Sequence, residues 1–206
     1  IPYASYVHSR RTSRSWGVFA QDEFTIMKDL ILNAGLRFDQ SSFHSGTINP
    51  RIALVYNPSK KSTFKLIYGT AFRSPSVYEM FYQADGWKAN TDLKPERIRN
   101  YEITYEQGLG NHYRLSGSIF DYKITDSIQQ IIDSVDGLAV FRNTGNITGR
   151  GFEIEATGNW EQGYQARLSY THQEVKDSLT RARLINSARN LFKLNLISPI
   201  WKDFLF

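Results

Sequence analysis

The chain has 206 residues, with 25 Lys and Arg against 20 Asp and Glu, so its formal net charge is +5. This length suits one or two domains, and 14% aromatic residues is too many for a disordered chain. No apolar run approaches the roughly 18 to 20 residues of a membrane-spanning helix. The lack of cysteine excludes a disulfide scaffold and a thiol nucleophile. The basic residues are scattered, which is typical of a solvated surface, so we predict no nucleic-acid partner.

Alternation of apolar and polar residues dominates the chain and predicts β-strands. The first segment, Trp16 to Ile26, carries Asp22 on its apolar side. Alternation continues from Leu30, with leucines at positions 30, 32 and 36 opposite Arg37 and Asp39. Further alternating segments begin at Phe64, Asn100, Gly151 and Tyr164. Each predicted strand therefore has one apolar and one charged face.

The predicted connections alternate between short and long. Short turns are expected near residues 27–29, 57–61, 108–111 and 161–163, and long connections at 41–47, 74–96 and 177–189. Between Gly110 and Gly163 the sequence predicts two strands of about 20 residues that meet at an Asp136-Gly137 hairpin turn. A bilayer needs only about 9 to 11 residues of tilted strand, so we expect this hairpin to extend beyond a membrane.

The same alternation fits a soluble β-sandwich or a membrane β-barrel, whose apolar face points to lipid. Three features favour the barrel: the short and long connections, aromatic residues near the strand ends, and strands longer than the usual five or six residues. The apolar positions change parity near Ile119 and Phe120, which a β-bulge or emergence from the membrane would explain.

Several segments have motifs of a known family. Asn49 to Tyr56 followed by Leu66 to Pro75, and also Asn90 to Glu96, resemble parts of the barrel of TonB-dependent outer-membrane receptors. Asn143-Thr144-Gly145 and Gly149 to Glu153 resemble a later strand, and Asn186 to Arg189 fits as well. The segments keep the family's order over nearly the whole chain.

This resemblance implies an all-β, antiparallel transmembrane barrel of 22 strands in the outer membrane of a Gram-negative bacterium, with long extracellular loops and short periplasmic turns. About nine strands are predicted here, with a tenth beginning near Phe204. The family also has a plug domain that fills the barrel and is energised by the TonB complex. No plug is recognisable in this sequence, and we expect residues 1–206 to form part of a barrel domain. The implied function is energised uptake of a scarce ligand such as a metal chelate.

Two groups of candidate site residues follow. The polar wall of the barrel lumen is predicted to be formed by Arg37, Arg51, Lys65, Glu102, Glu106, Glu153, Glu155, Arg167 and Lys193. The loop between Ser74 and Glu96 is predicted to bind ligand through aromatic groups and one cation: Arg73, Tyr78, Phe81, Tyr82 and Trp87. The alternative is that these loop residues only pack the loop against its neighbours. A short helical turn is expected at its start, because Ser76 and Glu79 have the spacing of a capping box.

The sequence favours transport over catalysis. No nucleophile or oxyanion site accompanies the lumen carboxylates, and neither a metal site nor a cofactor is predicted. Haem is a weaker ligand candidate because no His lies between Arg73 and Arg97 to ligate its iron, so a ferric siderophore leads, with cobalamin second. The alternative functions are a passive, porin-like barrel and a soluble carbohydrate-binding β-sandwich.

Overall fold

The computed structural model describes residues 12–161, 163–201 and 204–205 of the chain. Nine consecutive antiparallel strands form one sheet in the order of the sequence. The strands are β1 Ser15–Met27, β2 Leu30–Ser41, β3 Thr47–Ser59, β4 Ser62–Arg73, β5 Glu96–Leu109, β6 Tyr113–Ile132, β7 Ala139–Asn159, β8 Gln165–Asp177 and β9 Asn190–Ile197. One short helix, α1 (Val77–Phe81), interrupts the loop between β4 and β5. In the parts of the chain that the structure describes, no helix has the length and apolar character needed to cross a membrane.

The connections confirm most of the predicted topology. Two residues join β1 to β2 and β3 to β4, whereas residues 74–95 and 178–189 form long loops on the opposite end of the sheet. The predicted hairpin is present, with β6 and β7 spanning 20 and 21 residues. Its turn places Gly137 at φ +72°, a left-handed conformation that glycine adopts at little cost.

The strand register places most of the large apolar residues on a single face. Paired residues of antiparallel strands share a face, and every second residue returns to it. Across β4, β5 and β6 the successive rows on this face are aromatic, aliphatic, aromatic and then basic. They read Phe64–Tyr105–Gly117, Leu66–Ile103–Ile119, Tyr68–Tyr101–Asp121 and Thr70–Arg99–Lys123. We call this the outward face.

The outward face is the more exposed of the two. Leu66, Ile103 and Ile119 are 53%, 52% and 61% exposed, whereas the charged face between them is mostly half-buried. This is what a sheet curved toward its charged face produces. It is the reverse of a water-soluble sheet, which buries its apolar side, and it is the arrangement of a membrane barrel.

The change of parity near Phe120 does not come from a β-bulge at this position. The register of β6 with both neighbours is continuous from Tyr113 to Ile124, and the first shift lies beyond Ile124. Phe120 and Tyr122 therefore lie on the charged face. They fit there because Gly149 and Gly151 of β7 have no side chains: a Cβ on Gly151 would lie 2.8 Å from the Phe120 ring, and one on Gly149 would overlap Tyr122.

A separate small hairpin follows the nine-stranded sheet. Strand β10 (Pro199–Trp201) pairs with β11 (Phe204–Leu205) and not with the large sheet. The tenth strand expected near Phe204 is therefore found as β11, but in this local pairing. Gln162, in the predicted turn at 161–163, and the last residue, Phe206, lie outside the described residues.

Candidate functional site in the loop between β4 and β5

The loop begins with α1, whose capping box was predicted from the sequence. The Ser76 hydroxyl accepts a hydrogen bond from the Glu79 backbone N–H at 3.2 Å, and the Glu79 carboxylate accepts one from the Ser76 N–H at 2.7 Å. These bonds satisfy backbone groups that the first helical turn leaves unpaired. Because α1 has only five residues, it is too short to be stable by itself, and the cap is one of the contacts that hold it.

Arg73 fastens both ends of the loop. Its guanidinium donates two hydrogen bonds of 3.0 Å to Glu79 and one of 2.6 Å to Glu96, the first residue of β5. Burial alone would raise the pKa of Glu79, but the hydrogen bonds from Arg73 and Ser76 outweigh it and hold that pKa below its ordinary value. Two carboxylates therefore neutralise Arg73, and its charge is engaged within the protein.

The second half of the loop lies on the hairpin of β6 and β7. The Lys88 N–H donates to the Ala139 carbonyl at 3.0 Å, and the Ala139 N–H donates to the Gly86 carbonyl at 2.9 Å. Asn143 bonds both backbone groups of Lys94 with its side chain, at 2.8 Å each. These contacts join segments about 50 residues apart in sequence, so the position of the loop on the hairpin is fixed.

Four charged side chains close this contact. Lys88 forms ion pairs with Asp133 and with Asp136, the latter at 2.6 Å, and Arg142 also bonds Asp133. The hydrogen bond from Lys88 is the main reason that the pKa of Asp133 and that of Asp136 lie below their ordinary values. We call Lys88, Asp133, Asp136 and Arg142 the loop latch.

Four aromatic rings meet where the loop contacts the hairpin. The ring centroids of Tyr78 and Tyr82 are 4.6 Å apart, those of Tyr82 and Trp87 5.2 Å, and those of Trp87 and Phe141 5.8 Å. Tyr78 also contacts Phe141, with ring centroids 5.8 Å apart, and its side chain is 51% exposed. Tyr78, Tyr82, Trp87 and Phe141 form what we call the aromatic cluster.

The structure divides the five predicted loop residues into three groups. Tyr78, Tyr82 and Trp87 are brought together, while Phe81 faces Phe43 of the preceding long connection, with ring centroids 5.8 Å apart. Arg73 is held in its ion pairs below them. Sequence reasoning missed Phe141 and the loop latch. The only signal for them in the sequence is the turn at 133–136 with its two aspartates, which predicts a hairpin but not its contact with the loop.

The nine residues predicted for the polar wall share the charged face. Lys65 bonds Glu106 at 2.5 Å, and Arg167 lies 3.7 Å from Glu155. The remaining members occupy the same face by strand register: Arg37, Arg51, Glu102, Glu153 and Lys193. Charges of both signs thus alternate along a surface that suits water or a polar domain.

In the ranges that the structure describes, the geometry offers binding surfaces and no recognisable catalytic constellation. Among the described residues, no group of three or more His, Asp or Glu side chains is placed to hold a metal ion. Glu79 of the loop and Glu96 of β5 are paired with Arg73, and Asp133 and Asp136 of the hairpin are paired with Lys88. What the loop offers for binding is the aromatic cluster.

Comparisons with known proteins agree with this architecture. The family model for TonB dependent receptor-like β-barrels matches residues 1–204. The vitamin B12 transporter BtuB of Vibrio cholerae is 28% identical over 170 residues, which is 81% of this chain and 26% of the transporter. The iron-regulated outer membrane virulence protein of the same species is 25% identical over 205 residues, covering 90% of this chain and 31% of that protein.

Solved structures show the same fold. The ferric enterobactin receptor PfeA of Pseudomonas aeruginosa, in a G324V mutant form, superimposes with a TM-score of 0.77 at 19% identity. The match covers 94% of this chain and 31% of that one. The chain thus spans roughly a quarter to a third of the length of these relatives.

The chain belongs to the TonB-dependent receptor β-barrel family, whose members lie in the outer membrane of Gram-negative bacteria. That family consists of receptors and transporters, not enzymes. Membership also removes the soluble carbohydrate-binding β-sandwich from consideration.

Proposed function

We propose that this chain is part of a receptor that takes up a ferric siderophore across the outer membrane, driven by the TonB complex. The observation that carries the proposal is the aromatic cluster, which the loop latch and the Asn143 bonds hold at the loop end of the sheet. A preorganised aromatic surface lowers the entropic cost of binding a flat ligand. An intact chelate needs no protein donor to its metal, so the lack of a His in this loop favours a chelate over haem.

The role of the cation differs from the sequence-based expectation. Because Arg73 is neutralised by Glu79 and Glu96, we assign it to positioning α1 and the start of β5. Tyr78, Tyr82, Trp87 and Phe141 then form the contact surface itself. Phe81, which packs on Phe43, supports the helix from the other side.

Cobalamin is the second candidate ligand. It is favoured by the 28% identity to a protein named as a vitamin B12 transporter. A corrinoid also presents a broad ring to an aromatic surface, and it needs no protein ligand to its metal in order to be gripped by its periphery.

We propose further that residues 1–206 form an arc of a larger barrel that a plug domain occupies. Strands β1 and β9 each have one edge without a partner strand among the described residues. Exposed edges are not tolerated in lipid, where every backbone group must be bonded within the protein, so additional strands would close the barrel. The charged face would then line the lumen and contact the plug.

A binding assay of the full receptor tests the ligand assignment. Titration with a panel of ferric siderophores, cobalamin and haem should give one tight chelate ligand. Trp87→Ala and Tyr82→Ala should each weaken its binding by about 1 kcal/mol or more, as expected for an aromatic anchor. Trp160→Ala is the matched control, because Trp160 packs against Tyr113 at the opposite end of the sheet. A receptor that binds haem and no chelate in the panel would overturn the assignment.

Uptake measured with and without TonB separates the receptor from the passive barrel, since a porin-like channel would not need the energising complex.

The side of the membrane on which each connection lies is tested with cysteines that are introduced into the receptor one at a time and labelled in intact cells. This chain has no native cysteine that would react. A cysteine at Asp136 should react with an impermeant reagent from outside, and one at Lys60 should not. Labelling at position 60 from outside would show that the barrel has the opposite orientation. The loop between β4 and β5 would then lie on the periplasmic side, where an extracellular ligand does not meet it.

A further inference from the structure

The nine-stranded sheet has a slit between β3 and β4 at its loop end. The ladder between these two strands stops at the pair Arg51 and Gly69, although β3 begins at Thr47 and β4 ends at Arg73. On their other sides both strands stay paired up to these two residues, β3 with β2 and β4 with β5. The slit is therefore a local parting of two strands inside the sheet and not a frayed edge.

Pro50 explains why the ladder stops. Continued by one position beyond the pair 51–69, the register places Pro50 opposite Thr70. The Asn57 N–H donates to the Asp29 carbonyl of β2, so the even-numbered residues of β3 direct their backbone groups toward β4. A proline has no N–H, and the Thr70 carbonyl can therefore receive no ladder bond from Pro50.

The slit has the size and the lining of a solvent site. Its volume is about 280 Å³, which is the volume of roughly nine water molecules in the liquid. Thr47 and Asn49 line it from the charged face, and Pro50 and Thr70 line it from the outward face. Within the part of the chain that the structure describes, the buried Thr70 hydroxyl has no hydrogen-bond partner. A buried polar group of this kind needs a partner, and the slit is where one can lie.

The slit opens at a height where the outward face is still apolar. Ile48 shares a row with Val18 of β1, and the two are 63% and 64% exposed. Lipid chains cannot bond the carbonyl and hydroxyl of Thr70, and unpaired backbone at membrane depth is tolerated only where it is buried in protein or lines a water-filled cavity. Arg97 and Arg99 of β5 also line the slit, and their charges favour water beside them.

Above the slit, two groups of loops touch only through side chains. In the connection between β2 and β3, His44 Nε2 lies 2.8 Å from the Ser74 hydroxyl, and the Phe43 ring packs on Phe81. The loop that carries Ser74 and Phe81 is bonded by its backbone to the hairpin of β6 and β7. This loop therefore forms one unit with β4 to β7, and the slit separates that unit from β1 to β3.

We propose that water fills the slit in place of the missing ladder bonds, and that the sheet has a joint there between β1 to β3 and the unit of β4 to β7. Water bridges the carbonyl and hydroxyl of Thr70 to the backbone of β3. Water bridges can rearrange, whereas a continuous ladder opens only as a cooperative unit, so the two units change their angle at the slit. The contacts of His44 and Phe43 limit that motion. The joint goes beyond the proposed function and does not depend on which ligand is taken up.

The rate of cysteine modification tests for water in the slit. The full receptor, with one introduced cysteine as its only cysteine, is placed in phosphatidylcholine nanodiscs and treated with a water-soluble methanethiosulfonate reagent. Thr70→Cys should react at least about tenfold faster than Leu36→Cys, which lies in the row of Pro50 on the outward face. Adding Pro50→Val supplies the missing N–H, closes the ladder and should slow the reaction at position 70 by about tenfold.

Pro58→Val is the matched control, because Pro58 lies at the other end of the same strand and should leave the rate at position 70 unchanged. The heat-dependent shift in gel mobility shows that each variant is folded before it is labelled. Equal rates for Thr70→Cys and Leu36→Cys would overturn the proposal, and so would a rate at position 70 that Pro50→Val leaves unchanged.

Distances between spin labels test the joint itself. Ser45 of the connection and Gln83 of the loop are exposed and belong to the two units that the slit separates. The distribution of distances between labels at these positions should be narrower in Pro50→Val than in the parent receptor. Labels at Lys60 and Asn111, in two turns at the opposite end of the sheet, should give the same distribution in both proteins. A distribution between positions 45 and 83 that Pro50→Val does not narrow would overturn the joint.

Discussion

The strands of the large sheet and the loop region of this chain place their apolar side chains in opposite ways. In the strands, Leu66 and Ile103 lie on the outward face and are more than half exposed. In the loop region, Met80 of α1 and Val140 at the start of β7 are each only 2% exposed, and Leu93 before β5 is 3% exposed. The same residue types are therefore presented in one region and hidden in the other.

The contrast indicates two solvents for one chain. Apolar groups are buried where water surrounds the protein and can remain on the surface where lipid does. Charged groups are paired in both regions: Asp133 bonds two cations in the loop latch, and Lys65 pairs with Glu106 on the charged face of the sheet. The following predictions either break this division or measure it.

The largest effect is expected from Gly151→Val in β7. A Cβ at this position would overlap the carbonyl oxygen of His172 on β8 and would lie 2.8 Å from the Phe120 ring. Neither a backbone carbonyl nor a half-buried ring can retreat easily, so overpacking should cost about 3 kcal/mol or more. The measurement is the folded fraction of the receptor, from the heat-dependent shift in gel mobility and from urea unfolding in lipid.

Gly69→Ala is the matched control. Its nearest neighbour would be the Arg51 side chain at 3.9 Å, which is an ordinary contact. Folding to the same extent in Gly151→Val and Gly69→Ala would show that β7 and β8 are further apart than the structure places them.

Leu66→Arg should have the next largest effect. Leu66 lies in the aliphatic row of the outward face, so a charge there should destabilise the barrel by about 2 to 4 kcal/mol at mid-membrane depth. Lys65→Leu, one residue away, removes only a partly exposed ion pair with Glu106 and should cost about 1 kcal/mol or less. Urea unfolding of the two variants in the same bilayer gives the comparison, and similar losses would mean that the faces are assigned incorrectly.

Period-2 alternation was sufficient to predict the apolar and the charged face of the sheet. Neighbouring residues of a strand, such as Lys65 and Leu66, point to opposite faces. The Asp136-Gly137 pair predicted the turn of the long hairpin, and the spacing of Ser76 and Glu79 predicted the capping box. None of these patterns could predict that Arg73 is neutralised by Glu79 and Glu96, or that Phe141 completes the aromatic cluster. Those contacts depend on how a long loop folds back onto a distant hairpin, and nothing in local spacing encodes that.

The smallest expected effect concerns the loop latch and its dependence on pH. The pKa of Asp133 is lowered in the folded protein, first by the hydrogen bond from Lys88. A carboxyl group of this kind stabilises the docked loop fully above its ordinary pKa of about 3.9, and its contribution is lost as the pH falls through the lowered value. The latch should therefore hold at neutral pH and weaken only in acid.

Hydrogen exchange at two backbone amides reads the latch directly. The N–H groups of Lys88 and Ala139 bond across the contact between loop and hairpin, and Asp133→Asn should speed their exchange several-fold at pH 7. Asp85→Asn is the control in the same loop, because Asp85 is exposed and forms none of the ion pairs of the latch. After correction for intrinsic rates, the difference between wild type and Asp133→Asn should shrink as the pH falls below about 4. Amides in the Leu66–Ile103 row, which no part of the latch touches, should exchange at the same rate in both variants. If the difference between wild type and Asp133→Asn persisted unchanged at pH 3, Asp133 would act through packing and not through its charge.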